Sequence, residues 1–285
     1  MYFVLFLQQF LASMTHIVGK SITFEIPPAT VLAYRAAIAA ALYFVWIMIR
    51  RGKFLRIELR DVPTLLIIAL LNVPLNQFLF LTSVKLTSPP NVALAYALTP
   101  AFVLIIAIIF LKESSTPIKI SGVVLAIMGA VFMIFERGIN FGSDHFTGNV
   151  LVLIASMAWA LYTVLGRDFS RKYGAFYTTG ISLIVGFIIY FIIFQFLPYG
   201  WHFEDMTTTN WLQVFYLGAI TSGLAHALWY WALTKLEASK VAVFNNLQPV
   251  FTTILSVIFF GTPITIPFLI GGAMIITGVV LTQRG

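Results

Sequence analysis

The residues able to do chemistry in this chain lie inside runs of apolar sequence. Gln9, Ser13, His16 and Lys20 recur at intervals of four, three and four, which puts them on one face of a helix. Asn72, Asn76 and Ser83 make a second such face, with Gln77 beside them. Trp159 and Tyr162 form an aromatic pair, and His226 and Tyr230 are four apart, flanked by Trp229 and Trp231. Tyr96 and Thr99 lie just before Pro100, and Asn245, Asn246 and Gln248 just before Pro249. Arg35 stands six residues into another apolar run, roughly 9 Å deep at 1.5 Å per residue. Amides, hydroxyls, imidazoles and aromatic faces hold a solute without forming bonds to it. All ten acidic residues fall outside the apolar runs or at their ends. The sequence carries no phosphate loop, zinc-ligand spacing or nucleophile–base pair, so the reading is non-enzymatic, with no cofactor and no metal. Each polar residue taken singly reads as a hydrogen bond between helices, worth about 0.6 kcal/mol in a membrane. Their concentration at related places on several helices favours a wet cavity.

The two prolines belong to a stretch that occurs twice. Residues 97–110 read ALTPAFVLIIAIIF and residues 246–259 read NLQPVFTTILSVIF. A shift of 149 residues carries Pro100 onto Pro249, Val92 onto Val241, Gly122 onto Gly271 and Gly129 onto Gly278. A shift of 147 carries Gly19-Lys20 onto Gly166-Arg167. A proline inside a helix cannot donate its backbone hydrogen bond and crowds the carbonyl four residues back. The carbonyls so freed belong to Tyr96 and Asn245. Interrupted helices at corresponding places in two halves point to a transporter's binding site.

The composition requires a membrane. Hydrophobic residues make up 60% of the chain and charged residues 9%, against roughly 25% charged in a soluble domain. Mean hydropathy is +0.97. The net charge of +7 therefore reads as basic loops rather than a nucleic-acid surface. Without cysteine, disulfides and thiol chemistry are excluded. Ten runs are long enough to span a bilayer as helices: Tyr2–Gly19, Ala29–Ile49, Val62–Val84, Asn91–Leu111, Ile118–Phe135, Gly148–Gly166, Phe176–Phe196, Trp211–Leu233, Val241–Phe260 and Ile264–Thr282. With the N-terminus inside, the inner loops hold 13 basic residues and the outer loops three. That bias places both termini in the cytoplasm. Five spans per half then make the repeat an inverted one. The fold expected is an all-α integral membrane protein of ten transmembrane helices in two five-helix units, residues 1–140 and 141–285.

The paired segments also carry a family resemblance. Lys85-Leu86-Thr87-Ser88 through Ala93-Leu94 to Pro100, and Ala232-Leu233 through Lys235-Leu236 and Ala238-Ser239 to Pro249-Val250-Phe251, resemble the EamA-type members of the drug/metabolite transporter superfamily. Trp159, Arg167 and Arg35 fit family-like positions. Two features depart from the pattern: Gly-Glu after the proline-bearing helix reads Lys112-Glu113 and Gly261-Thr262, and Ala12 stands where the second unit has Trp159. The resemblance implies alternating access around a central cavity and export of amino acids, related metabolites or amphiphilic compounds. The expected partners are a small-molecule substrate and the lipid bilayer of a bacterial cytoplasmic membrane, with no nucleic acid, in a monomer or homodimer. Arg35 reads either as a counter-charge for a substrate carboxylate or as a side chain snorkelling to the interface. An organic-phosphate or nucleotide-sugar exchanger would need several buried cations, and a lipid-modifying enzyme would need buried acids. The topology is testable by labelling single cysteines introduced into a chain that has none. Position 202 should label from outside and position 54 from inside; labelling of position 54 from outside alone would reverse the orientation.

Overall fold

The computed structural model describes residues 2–49, 57–111, 116–134, 142–201, 203–236 and 238–284. Positions 54 and 202, and the loop residues Arg50, Arg51, Lys53, Arg56, Lys112, Glu113 and Arg137, lie outside them. The described residues contain helices and turns and no strand. The helical pieces join end to end as α1 (Tyr2–Glu25), α2 (Pro28–Ile49), α3 (Leu59–Leu86), α4 (residues 89–111), α5 (Pro117–Ile134), α6 (Asp144–Tyr173), α7 (Ala175–Phe194), α8 (residues 208–235), α9 (residues 238–260) and α10 (Ile266–Arg284). Seven of these, α1 to α4, α6, α7 and α9, are long and apolar enough to cross a membrane; α5 and α10 hold shorter apolar helices.

Several helices start earlier than the apolar runs because polar caps begin them. Ser143 accepts from Phe146 N at 3.2 Å, so α6 opens ahead of the expected Gly148. Thr207 and Asn210 cap α8 reciprocally, at 3.2 and 2.9 Å. Such side chains take up the unpaired amides of a first helical turn. Hydropathy counts them as loop. Gly174, at φ +86°, makes the one-residue break between α6 and α7, a backbone conformation that glycine adopts without penalty.

An apolar core is buried, yet the surface is apolar too and many polar side chains lie inside. Phe3, Ile49, Leu212, Ile258 and Ile266 are largely exposed. Gln9, Ser13, Asn72, Asn149, Thr163 and Ser222 are fully buried. Lipid tolerates apolar side chains outside, while polar groups must find partners within the bundle.

Beyond the 3-10 turn Leu59–Asp61 that opens α3, the described helices leave ideal α geometry at four places. In α4 a turn at Leu98 precedes Pro100, and in α9 residues Val243–Asn246 tighten to a 3-10 turn before Pro249. Two further departures have no counterpart in the sequence reading. Leu71–Gln77 in α3, around Pro74, and Tyr216–Ala225 in α8 are π-helical. A π segment adds a residue to the turn and often marks a functional site. The shift of 149 carries residues 71–77 onto 220–226, which overlap the second segment.

Polar contacts close each end of the bundle. At one end Lys20 Nζ donates to the carbonyls of Lys85 and Thr87, at 2.8 and 3.0 Å. Asn210 there donates to Glu25 at 2.8 Å. At the other end Lys172 bridges Glu58 and Asp61, each at 2.6 Å, and Tyr173 donates to Asp61. The hydrogen bond from Lys172, helped by Arg60, holds Glu58 below the usual carboxylate range.

α5 and α10 pack backbone to backbone. A Cβ on Gly122 would fall 2.6 Å from Gly278 O, and one on Gly129 would fall 2.7 Å from Gly271 O. Close approach of this kind needs small residues. Gly122→Val should lower the melting temperature in detergent by the equivalent of roughly 1–3 kcal/mol, the usual cost of overpacking. Val124→Leu, on an exposed face of the same helix, should leave it unchanged. Equal melting of the two variants would contradict the tight contact.

Candidate substrate-binding cavity

A cavity of about 60 Å³ opens where α1, α2, α3, α4, α6, α8 and α9 meet. A water needs roughly 10–15 Å³ by this measure, so the space holds a few waters. Its walls are Gln8, Ala12, Thr15 and His16 from α1, Arg35 from α2, and Asn76, Gln77 and Phe80 from α3. Tyr96, Trp159, Thr221, Ala225, His226 and Gln248 complete them. None of these residues is acidic.

The π segments set the polar wall. Gln77 ends the first, and Thr221, Ser222 and Ala225 belong to the second. Arg35 Nε donates to Ser222 Oγ at 2.7 Å, Ser222 Oγ to Gln77 Oε1 at 3.1 Å, and Gln77 Nε2 to Asn72 Oδ1 at 2.9 Å. One chain of hydrogen bonds therefore ties α2, α8 and α3 around the guanidinium. Arg35 is buried, which excludes the snorkelling alternative. His226 Nδ1 lies 2.7 Å from Thr221 O, five residues back, a carbonyl the π geometry brings within reach. Thr221 Oγ1 also accepts from Thr15 at 3.0 Å, fastening α8 to α1.

The opposite wall is made of amides. Gln9 Nε2 donates to Asn245 Oδ1 at 3.0 Å, and Gln248 Nε2 donates to Gln9 Oε1 at 2.7 Å. Asn76 Nδ2 donates to Tyr96 Oη at 2.7 Å and to Ala155 O at 2.8 Å. Aromatic rings fill the rest. Trp159 packs 5.1 Å from the His226 ring, and His16 packs edge-on 5.2 Å from Phe80.

Of the residues expected from sequence, His16, Arg35, Asn76, Tyr96, Trp159, His226 and Gln248 line the cavity, and Asn245 touches it through Gln9 and Gln248. Tyr162, Trp229 and Tyr230 stand behind Trp159 as fully buried packing; Trp229 Nε1 donates to Thr163 Oγ1 at 3.2 Å. Thr99, Pro100 and Pro249 do not face the cavity. The freed carbonyls are also occupied. Thr99 Oγ1 donates to Tyr96 O at 2.7 Å, and in α9 Leu247 N–H turns to the carbonyls of Phe244 and Asn245. The prolines therefore shape the backbone, and each freed carbonyl already accepts a hydrogen bond from its own turn. Sequence reasoning missed Gln8, Thr15, Phe80 and Thr221 as wall residues. Gln8 and Thr15 are polar within an apolar run and carried a usable signal; Phe80 carried none.

The arrangement matches known proteins. The model of the EamA-like transporter family matches residues 1–135 and again residues 146–284. The chain therefore belongs to the EamA-like transporter family and is a multi-pass membrane protein. It is 27% identical over 260 residues to the uncharacterized transporter YyaM of Bacillus subtilis, covering 90% of this chain and 85% of that one. It is 28% identical over 258 residues to an uncharacterized transporter of Archaeoglobus fulgidus, covering 90% and 89%. A crystal structure superposes with a TM-score of 0.68 at 20% identity over 97% of this chain and 94% of that one, which shows the shared fold.

Replacing Pro100 and Pro249 together with alanine lets both helices run on with regular hydrogen bonds. The protein should fold and transport should be impaired, because the breaks place Tyr96 and Gln248 at the cavity. Flux equal to that of the unaltered protein in proteoliposomes would reduce both prolines to local kinks.

Proposed function

We propose that this transporter moves small neutral or zwitterionic metabolites, amino acids and related compounds, out of the cell by alternating access. In this reading ten transmembrane helices form two inverted five-helix units, residues 1–140 and 141–285, in a cytoplasmic membrane with both termini inside. The observation that carries it is the cavity itself, walled by amides, imidazoles, aromatic rings and one arginine, with no acidic wall residue. Two features support the inverted repeat. Gly122 meets Gly278 and Gly129 meets Gly271, so residues equivalent under the 149-residue shift pair crosswise, as a two-fold axis in the membrane plane requires. The π segments of α3 and α8 likewise fall at corresponding places.

The polar contacts of Lys20 at one end and Lys172 at the other are the candidate gates. Alternating access requires the contacts at one end to part while those at the other hold. The competing organic-phosphate reading requires several cations around the site, and the wall supplies Arg35 alone. A thermostability screen of purified protein against metabolites, followed by proteoliposome flux for each hit, tests the reading; hits confined to phosphorylated solutes would replace it with the competitor.

No carboxylate lines the cavity to serve as a proton relay, and guanidinium stays protonated. The transport expected is facilitated diffusion or exchange without obligatory proton coupling. In proteoliposomes a pH gradient alone should not accumulate substrate above its equilibrium level, and uphill accumulation driven by that gradient would refute this.

A further inference from the structure

The repeat relates the two ends of the bundle contact by contact. The shift of 147 carries Glu25 onto Lys172, and the shift of 149 carries Asp61 onto Asn210. Asn210 Nδ2 donates to Glu25 at 2.8 Å at one end, and Lys172 Nζ donates to Asp61 at 2.6 Å at the other. Both members of this pair are made. In a second pair only one is. α3 gives way to an extended residue at Thr87, whose N–H still bonds Ser83 O. α8 gives way in the same manner at the matching Leu236, whose N–H bonds the matching Ala232 O. The last carbonyls of a helix have no partner within it and carry the negative end of its dipole, so each of these ends invites a cation. Gly19-Lys20 adjoins the first end and its counterpart Gly166-Arg167 the second. A Cβ on Gly19 would lie 3.5 Å from Leu81, and one on Gly166 would collide with the matching Tyr230, so each glycine lets its helix close on its neighbour. Lys20 Nζ then donates to the carbonyls of Lys85 and Thr87, at 2.8 and 3.0 Å. Arg167 makes no such contact among the described residues, and its Nε is buried without a hydrogen-bond partner.

We propose that Lys20 and Arg167 are alternating clasps. In this conformation Lys20 holds the end of α3. In the opposite one it lets go, and Arg167 takes the carbonyls of Thr234 and Leu236 at the end of α8. This rests on the alternating-access reading and goes beyond it in naming the contact that changes hands. The Glu25–Asn210 and Lys172–Asp61 bonds are made together, so they do not distinguish the two ends here; the clasps do. A charged N–H buried without an acceptor costs free energy. Arg167 bears that cost in this conformation and is relieved of it in the other, where Lys20 faces water at an opened mouth. The guanidinium has five N–H groups and can reach two carbonyls at once, as the three donors of Lys20 do. Exchanging one clasp for the other keeps the two conformations close in free energy. A solute that binds one of them somewhat better can then shift the balance.

The test uses the full-length protein in membrane vesicles and needs no solute. Ala12, on the cavity wall, is replaced by cysteine in a chain that has none, and a charged, membrane-impermeant maleimide is applied from one side or the other. The readout is the ratio of the two labelling rates. Lys20→Met removes the clasp made here and should shift that ratio about tenfold or more toward the side bearing Lys20, the effect of losing a charge-assisted hydrogen bond. Arg167→Met should shift it by a similar factor toward the opposite side. It removes no contact formed in this conformation, so it should not lower the melting temperature in detergent, and it decides the matter alone if Lys20→Met fails to fold. Lys20→Arg keeps a cation within reach of both carbonyls and should keep the unaltered ratio. Shifts of both methionine variants in one direction, a ratio indifferent to Arg167→Met, a Lys20→Arg ratio like that of Lys20→Met, or labelling from neither side overturns the proposal. Opposite shifts with inside and outside exchanged would support the clasps and reverse the topology. Opposite shifts in a protein that passes no metabolite in proteoliposomes would keep the clasps and end the transport reading. Flux with an unresponsive ratio would do the reverse.

Discussion

Burying the Arg35 guanidinium costs several kcal/mol unless protein groups replace the water it loses. Ser222 accepts from its Nε, Gln77 holds Ser222 and Asn72 holds Gln77, so α8 and α3 must both approach α2 closely. The approach is tight enough that a Cβ on Gly218 would fall 2.8 Å from the carbonyl of Arg35 itself. The π turns of α3 and α8 follow from the same demand. An extra residue per turn rotates Gln77 and Ser222 toward the guanidinium and brings Thr221 O to His226.

The same economy explains why the interior admits many polar residues beside its apolar core and the surface is apolar. In lipid the hydrophobic effect does not press helices together, so packing and hydrogen bonds hold the bundle. The α5–α10 pair shows the packing limit, with glycine against backbone carbonyl. The Gln9–Asn245–Gln248 amides show the hydrogen-bond limit, joining α1 to α9. Neither contact is strong alone. The glycine seam fastens α5 to α10 and the amides fasten α1 to α9, two different ways of joining helices in lipid.

Breaks in the helices sit next to the cavity. Irregular backbone at membrane depth is tolerated where it lines a cavity or is buried in protein. The turn at Leu98 is capped by Thr99, and the π turn of α3 absorbs Pro74. A proline's missing hydrogen bond is thereby distributed among side chains of the same turn. The breaks serve geometry, and the cavity-lining Tyr96 and Gln248 lie within the turn before each proline.

Much was legible in the sequence because it follows from local chemistry. The solvent shows in the apolar fraction, the helices in runs of about twenty residues, and the membership in paired Pro100 and Pro249 segments. His16, Arg35 and His226 stood out because an ionisable group in an apolar run needs a reason. What the sequence withheld depends on distance through space. Nothing local marks the π segment at Tyr216–Ala225, which lacks a proline and is set by packing on α2. Tyr162, Trp229 and Tyr230 share composition with Trp159, yet only Trp159 reaches the cavity, because helix rotation decides which ring of a cluster faces inward. The surroundings of His16 and His226 are likewise a tertiary matter. Each ring meets a carbonyl of its own helix, but only the assembled bundle buries its Nε2 with no partner among the described residues, because that depends on which neighbouring helices close over it.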